Sequence, residues 1–451
     1  MINMSNYRLR KTILDILERM EKDGSYSHLL IDHELKTGKI KAKDEGLLTE
    51  IVYGTFQRKL TLDYYLDAFI ESRKKIAPWV RMLLRMSVYQ MVFLDKVPDH
   101  AIIHEAVEIA KTRGNKGIAS LVNGVLRSIQ RKGVPDTANI KNSAERIAIE
   151  TSHPEWLVNR WIAMYGEQIT REMCEANVTR KALTVRVQPL KISRQEVIRL
   201  LTAQGLEVRP SVFSSQGIVI DKGNVLKTDL FKEGIVTIQD QSSMLVAEML
   251  AIKPGMEVLD ACSAPGGKAT HIAEKMQNKG MLYAYDLHAK KAKLISQKAR
   301  DLDLTIIVAN EADARKLQEL HEIESFDRIL VDAPCSGLGV IRGKPEIKYN
   351  KNATDIKRLA EIQLEILLHV APLLKKDGLL IYSTCTVEQT ENEGVVKSFL
   401  QQQPDFIIDQ RFFTELPAGF EHSPGRTENG LQIFPQTFQT DGFFLTRFRK
   451  K

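Results

Sequence analysis

The second half of this 451-residue chain alternates short apolar, β-prone runs with helical patterns, and that alternation constrains the fold more than any other feature. Met256 to Asp260, Met281 to Asp286, Thr305 to Ala309, Arg328 to Asp332 and Leu379 to Ser383 read as strands, and residues 442–448, GFFLTRF, as a last one. Strands joined through helices pair in parallel, because each crossover helix brings the chain back to start from the same edge. Ligands of such open sheets bind at the carboxyl ends of the strands. The residues that follow each strand are therefore the candidate site.

The first strand runs into VLDACSAPGGKATHIAE, a Gly-rich turn that opens a helix near Lys268. At Gly266 and Gly267 backbone and ligand can approach closely, and the helix start lends free N–H groups. A P-loop is excluded because Cys262 stands where its first Gly belongs and Ala269 follows Lys268; the G-x-G-x-x-G fingerprint is missing too. Asp286 ends the second strand 20 residues beyond Gly266, an offset that suits an acid bonded to ribose hydroxyls. Asp313, just past the third strand, can accept from an adenine amino group. Capping a helix is the commoner fate of a lone Asp.

The four cysteines, Cys174, Cys262, Cys335 and Cys385, stand too far apart in sequence for a zinc site or a small disulfide framework, so free thiols and no metal are expected. Cys335 in DAPCSG and Cys385 in STC follow neighbouring strands and should flank one cleft. Free Cys is more often buried filler, but Gly/Pro/Ser turns at strand ends are poor places for filler.

Residues 5–132 read as helix after helix, with apolar positions such as Val80, Leu83, Leu84, Val88 and Met91 at three- and four-residue spacing. A polar stretch from Lys132 to Ala144 breaks the pattern. The expected organisation is an all-helical domain over 1–135, a linker over 136–152, a small α+β unit over 153–240 and a Rossmann-like α/β domain over 241–451. Of the formal charge of +7, +6 falls on residues 1–150, which favours a polyanionic partner for that part; the plainer reading is a solvated surface. No membrane span or cleavable signal is visible, and a cytoplasmic protein is expected.

At the Gly-rich turn, DAPCSG and STC the sequence resembles the RNA cytosine-5 methyltransferases of the Sun/Nop family, over nearly its whole length. VYGTFQRKLTLDYYLDAFI, LLRMSVYQMVFLDKVPDHAIIHEAVEIAK and LVNGVLRSIQR resemble a NusB-type RNA-binding domain. The resemblance implies a class I methyltransferase fold, a ferredoxin-like middle unit and S-adenosylmethionine as cofactor. It implies that Cys262, Ser263, Ala264, Pro265, Gly266, Gly267, Lys268, Asp286, Asp313 and Asp332 line the cofactor pocket. Cys385 would be the nucleophile, Cys335 would assist product release, and Asp332 would activate the cytosine. The implied partner is 16S ribosomal RNA or an early small-subunit particle, bound by a monomer.

That chemistry suits these residues. Carbon 5 of cytosine is a weak nucleophile until a thiolate adds to carbon 6, and a free thiol titrates near pH ~8.5, so the attacking Cys needs help to ionise. The base must also leave its stack. Two alternatives differ: a transfer RNA methyltransferase, which the helical domain argues against, and a passive NusB-like antitermination factor, which the intact cysteines argue against. Asn123, Gly124 and Arg127 on one helix read as tight packing with a surface Arg or as RNA contacts. Tyr349 stands where many relatives carry Trp. In TENE, Asn392 and Glu393 read as a helix cap or as part of the site. His271 and His288, near the Gly-rich turn, have no visible partner.

Overall fold

The computed structural model describes residues 4–23, 27–38, 40–70 and 75–451. Contacts divide the chain into two compact units, Met1–Thr179 with Ile341–Asn350, and Arg180–Val340 with Lys351–Lys451.

The first unit is helical, with helices Met4–Asp23, Ser27–Lys36, Glu45–Gln57, Lys59–Asp67, Pro78–Phe93, Asp99–Arg113, Lys116–Lys132, Ser143–Thr151 and Glu155–Asn177. Pro78–Phe93 is its core helix: Pro78 starts it without wasting an N–H, and Met82 to Gln90 are all buried. The polar groups in that run are paired. Arg85 forks onto Asp63 at 2.7 and 2.8 Å, and Gln90 accepts from Arg10 at 2.8 Å. Lys116–Lys132 buries a stripe of Ala119, Val122, Val125, Leu126 and Ile129 behind its Asn115 cap. Asn123, Gly124 and Arg127 lie on its exposed face, and a Cβ on Gly124 would meet nothing within 4 Å, so the tight-packing reading fails.

The strap Ile341–Asn350 completes this unit from far along the chain. Glu346 accepts from the Ser27 N–H and hydroxyl, both at 3.3 Å. Lys348 is fully buried and donates to the Gln57 carbonyl at 2.9 Å, while burial lowers its pKa well below the ordinary value. Tyr349 meets Phe56 edge-on at 5.6 Å, and its hydroxyl donates to the Ser152 carbonyl at 3.1 Å. The aromatic at 349 is thus a core contact of the helical unit.

The second unit carries two sheets. Strands β1 (Leu183–Val187), β2 (Glu207–Pro210), β3 (Gly217–Lys222) and β4 (Val236–Ile238) form an antiparallel sheet in the order β2-β3-β1-β4. Val185, Val187, Ile218 and Ile220 pack it on Val197 and Leu201 of helix Arg194–Ala203, capped by Ser193. Alternation sends Arg186 the other way. It donates to both oxygens of Glu274 at 2.8 Å, to Thr270 Oγ1 at 3.0 Å and to the Gly267 carbonyl at 2.8 Å. Both faces of β1 are therefore covered. The helix Glu155–Asn177, within the stretch read as the small α+β unit, groups with the helical unit.

The large sheet contains β5 (Glu257–Asp260), β6 (Met281–Asp286), β7 (Ile307–Glu311), β8 (Phe326–Asp332), β9 (Leu374–Thr384), β10 (Phe406–Ile408), β11 (Arg426–Thr427), β12 (Gly430–Ile433) and β13 (Phe443–Lys450). Its order is β11-β12-β13-β9-β8-β5-β6-β7, with β10 on β13. β5 to β9 are mutually parallel and β13 runs antiparallel to β9. From β5 the chain winds outward to β6 and β7, then crosses to β8 and β9 on the other side. The crevice of this order reversal lies above β5 and β8, where doubly wound sheets bind ligands. Among the described residues no helix is long and apolar enough to cross a membrane.

Candidate active site

The turn after β5 is shaped by backbone geometry. Gly266 has φ +89°, the left-handed region that favours glycine, and a Cβ there would press to 3.3 Å on Ile295 Cα. The helix starts at Gly267, where a Cβ would meet only the Lys298 ammonium at 3.7 Å, so one side of the turn is open. Ser263, which precedes the cis Ala264–Pro265 bond, is buried and donates its N–H to the Tyr285 carbonyl at 2.7 Å. That bond ties the turn to β6.

Acids stand at successive strand ends. Asp260 ends β5 with no exposure, and neither oxygen accepts a well-formed hydrogen bond, although the nearby Ser263 hydroxyl offsets part of the cost. Burial, with the Asp332 charge, pushes its carboxyl up to about 7. Asp286 ends β6 and accepts from the His288 N–H at 3.1 Å. Asp313 caps the 3-10 turn after β7: it accepts from the Arg315 N–H at 3.0 Å and from the Arg315 side chain at 2.7 Å, which holds it below the usual carboxylate range. Burial and the charges of Asp260, Asp332, Asp286 and Asp313 push the Cys262 thiol well above its ordinary value, so it stays protonated. The crevice is acidic and suits a cationic ligand. In sequence Asp260 reads only as the last residue of a strand; what sets it apart is burial, which no motif carries.

On the far side of β5, Asp332 at the end of β8 is held by two partners. Lys268 Nζ lies 2.6 Å from Oδ2, and Ser383 Oγ donates to Oδ1 at 2.8 Å. Lys268, grouped by its motif with the cofactor turn, points its ammonium at Asp332. Burial opposes that charge, but Asp332 and, more weakly, Cys385 raise its pKa above the ordinary value.

The turn after β8 and the end of β9 bring Cys335 and Cys385 together, Sγ to Sγ 3.3 Å, both half-buried. Gly339 fixes the return of the β8 turn: its N–H donates to the Cys385 carbonyl at 3.0 Å, and its own carbonyl accepts from Gly442 at 2.8 Å. A Cβ there would sit 1.9 Å from the Gly442 oxygen. Contact with Cys385, burial and the charge of Cys385 hold the Cys335 thiol well above its ordinary value. Two sulfurs this close disfavour carrying two negative charges, so one ionises at the expense of the other.

His271 is buried with neither ring nitrogen in a hydrogen bond, its Nε2 3.9 Å from Glu248 Oε1, and burial keeps it neutral. His288 is exposed on the turn after β6. Among the described residues no cluster of His, Cys, Asp and Glu could hold a metal ion.

The chain has relatives among known proteins. A family model described as 16S rRNA methyltransferase RsmB/F matches residues 247–449, a NusB family model residues 8–131, and an RsmF/B-like ferredoxin-like domain residues 153–226. The chain is 50% identical to the probable ribosomal RNA small subunit methyltransferase B of Bacillus subtilis, over 99% of this chain and 100% of that protein. The chain belongs to the RsmB/F family. A second family relative, the probable ribosomal RNA small subunit methyltransferase B of Synechocystis, is 33% identical over 96% of this chain and 98% of its own. The crystal structure of the protein PH0851 matches this RsmB/F chain over 100% of its length and 99% of the other's, with TM-score 0.82 and 27% identity. A methyltransferase homologue from Pyrococcus horikoshii matches with TM-score 0.59 and 27% identity, over 69% of this chain and 100% of that one.

As an RsmB/F methyltransferase the protein uses S-adenosylmethionine. The crevice fits that ligand by its own chemistry. Its carboxylates suit a sulfonium, and the open side at Gly267 beside a helix start suits a carboxylate.

Proposed function

We propose that this chain methylates carbon 5 of a cytosine in small-subunit (16S) ribosomal RNA through a covalent bond to Cys385. The observation that carries the reading is the pair of sulfurs 3.3 Å apart just beyond the ends of adjoining parallel strands, next to the Lys268–Asp332 pair. S-adenosylmethionine supplies an electrophilic methyl group on a sulfonium.

Cys385 Sγ, as thiolate, bonds to carbon 6 of the flipped-out base, and the ring electron pair moves toward carbon 5. Asp332 faces the pyrimidine edge and shares a proton with it; Lys268 and Ser383 fix the direction in which its oxygens point. Once Cys385 is a thioether its negative charge is gone. The two Cys385 contributions that raise the Cys335 thiol then vanish, which eases its ionisation, while burial and the Glu391 charge still oppose it. Once carbon 5 has bonded the transferred methyl group, whose former sulfonium is left as a neutral thioether, Cys335 removes the remaining proton from carbon 5, the ring electrons return, and the bond from carbon 6 to Cys385 breaks. The electrostatics of the pair favour this order of steps, since reaction of the first sulfur makes the second a better base.

The pocket for S-adenosylmethionine is formed in this reading by Cys262 to Lys268, Asp260, Asp286, Asp313 and Asp332. The ribosomal RNA substrate is supported by the names of the relatives in Bacillus subtilis and Synechocystis and by the NusB match. We take the working form to be a cytoplasmic monomer acting on RNA or an early particle.

The test incubates wild type, Cys385→Ala and Cys335→Ala with labelled S-adenosylmethionine and unmethylated small-subunit RNA or transfer RNA, and follows methyl transfer and covalent adduct. The reading expects methylation of small-subunit RNA, an inactive and adduct-free Cys385→Ala, and adduct accumulation in Cys335→Ala. Methylation by Cys385→Ala overturns the mechanism. Preference for transfer RNA overturns the substrate.

A further inference from the structure

The TENE segment opens the helix Glu393–Gln402, yet Asn392 makes no side-chain cap to that helix, so the capping reading does not hold. Glu391 and Asn392 are both buried and both aim at the turns that carry the two sulfurs. Glu391 Oε1 accepts from the Ser336 N–H at 2.8 Å and from Gln363 Nε2 at 3.0 Å; Oε2 accepts from the Ser336 hydroxyl at 2.5 Å. Gln363 donates to the Pro334 carbonyl at 2.9 Å as well, so Cys335 is pinned on both flanks. Asn392 does the same for Cys385. Its Oδ1 accepts from Thr384 Oγ1 at 2.6 Å, and its Nδ2 donates to the Thr386 carbonyl at 3.2 Å and to Gln432 at 2.7 Å. The Ser336 and Thr386 hydroxyls then meet at 2.8 Å and join the two halves.

We propose that these adjacent residues are positioning residues with divided duties: Asn392 sets Cys385 for attack on the base, and Glu391 sets Cys335 for release of the methylated RNA. The inference rests on the roles proposed above for the two cysteines. It follows from which turn each side chain holds. Three donors converge on Glu391, an arrangement that a carboxylate satisfies and an apolar side chain leaves unpaired. Glutamine can replace it: its oxygen accepts from Ser336 N–H and Gln363, its amide donates to Ser336 Oγ, and the Ser336 hydrogen passes to Thr386.

The experiment compares Glu391→Ala, Glu391→Gln and Asn392→Ala with wild type and Cys335→Ala in single-turnover methylation of small-subunit RNA, with covalent adduct quantified over time. Glu391→Ala should form adduct and transfer the methyl group at a rate close to wild type but release product about tenfold more slowly. Glu391→Gln should restore release. Asn392→Ala should slow adduct formation by a similar factor without accumulation. Opposite shifts in adduct level are an outcome that general loosening of the fold does not produce. Should Glu391→Ala fail to fold, Ser336→Ala removes the Oε2 contact together with the bridge to Thr386 and should give the same slow release in milder form. The inference is overturned if both Glu391→Ala and Ser336→Ala release product as wild type does while Cys335→Ala accumulates adduct, or if Asn392→Ala accumulates it. If Cys335→Ala itself shows no adduct, the cysteine assignment has failed instead.

Discussion

Lys268 Nζ stands 2.6 Å from Asp332 Oδ2, so the first turn of the helix after β5 is bonded to the end of β8 across the crevice. Both side chains keep some exposure, 14% and 25%. Lys268→Met should therefore cost only about 1–2 kcal/mol of stability, while losing the group that orients Asp332 lowers the methylation rate roughly 100-fold. Thermal unfolding and single-turnover rates measured on the same preparation separate the two. An unchanged rate would make the pair structural only.

Asp260 gives the protein a pH dependence. Its carboxyl is pushed up to about 7 by burial, so the fold prefers the neutral acid. The resulting penalty is absent below the unfolded value of about 4, grows as pH rises from there to about 7, and is complete above it. Asp260→Asn should therefore stabilise the ligand-free protein at pH 8 and leave it nearly unchanged at pH 4, as read by thermal unfolding. A sulfonium favours the ionised acid. S-adenosylmethionine should bind wild type more tightly as pH rises through about 7, and Asp260→Asn should lose that trend in calorimetric titrations.

At Gly339 even a methyl group is too much. Gly339→Ala would place its Cβ 1.9 Å from the Gly442 carbonyl oxygen and 2.8 Å from that of Cys385, so the turn must move. We expect about 1–3 kcal/mol of destabilisation and loss of the bond from Gly339 N–H to the Cys385 carbonyl, with adduct formation slowed. Chemical denaturation and an adduct assay test this.

Arg186 and Glu274 form an ion pair with side-chain exposures of 0% and 1%. Arg186→Met leaves the buried Glu274 charge with only the Gln216 hydrogen bond at 2.7 Å in place of its ion pair, at a cost of about 3–5 kcal/mol. Because Arg186 also donates to the Gly267 carbonyl, the KM for S-adenosylmethionine should rise more than kcat falls. The double variant Arg186→Met with Glu274→Leu should recover stability without recovering KM.

Pattern was a good guide to the α/β core because each strand there announces itself locally. β6 spans Met281–Asp286 as expected from the run of apolar residues, while β7 begins two residues later than expected and ends at Glu311. The short strands β4, β10, β11 and β12 went unread. They hold only two to four residues each and exist through pairing with distant partners, as β12 does with β13. In the candidate site, motif spacing identified which residues end the strands but not what their side chains touch. Asp313 and Asp286 read alike in sequence, yet Asp313 is engaged by Arg315 while Asp286 bonds only within its own turn and faces Lys291 at 3.9 Å. Glu391 carries no periodic signal, since its partners at 336 and 363 are set by tertiary packing.

The strap Ile341–Asn350 has a consequence for biosynthesis. The helices of the first unit emerge from the ribosome ahead of the second unit, but the residues that fill the space beside Phe56, Gln57 and Ser27 are translated more than 160 positions after the last of those helices ends at Asn177. A nascent chain must expose that gap while β1 to β8 are still being made. The N-terminal unit is the first to begin folding, but it cannot close until most of the polypeptide has been translated.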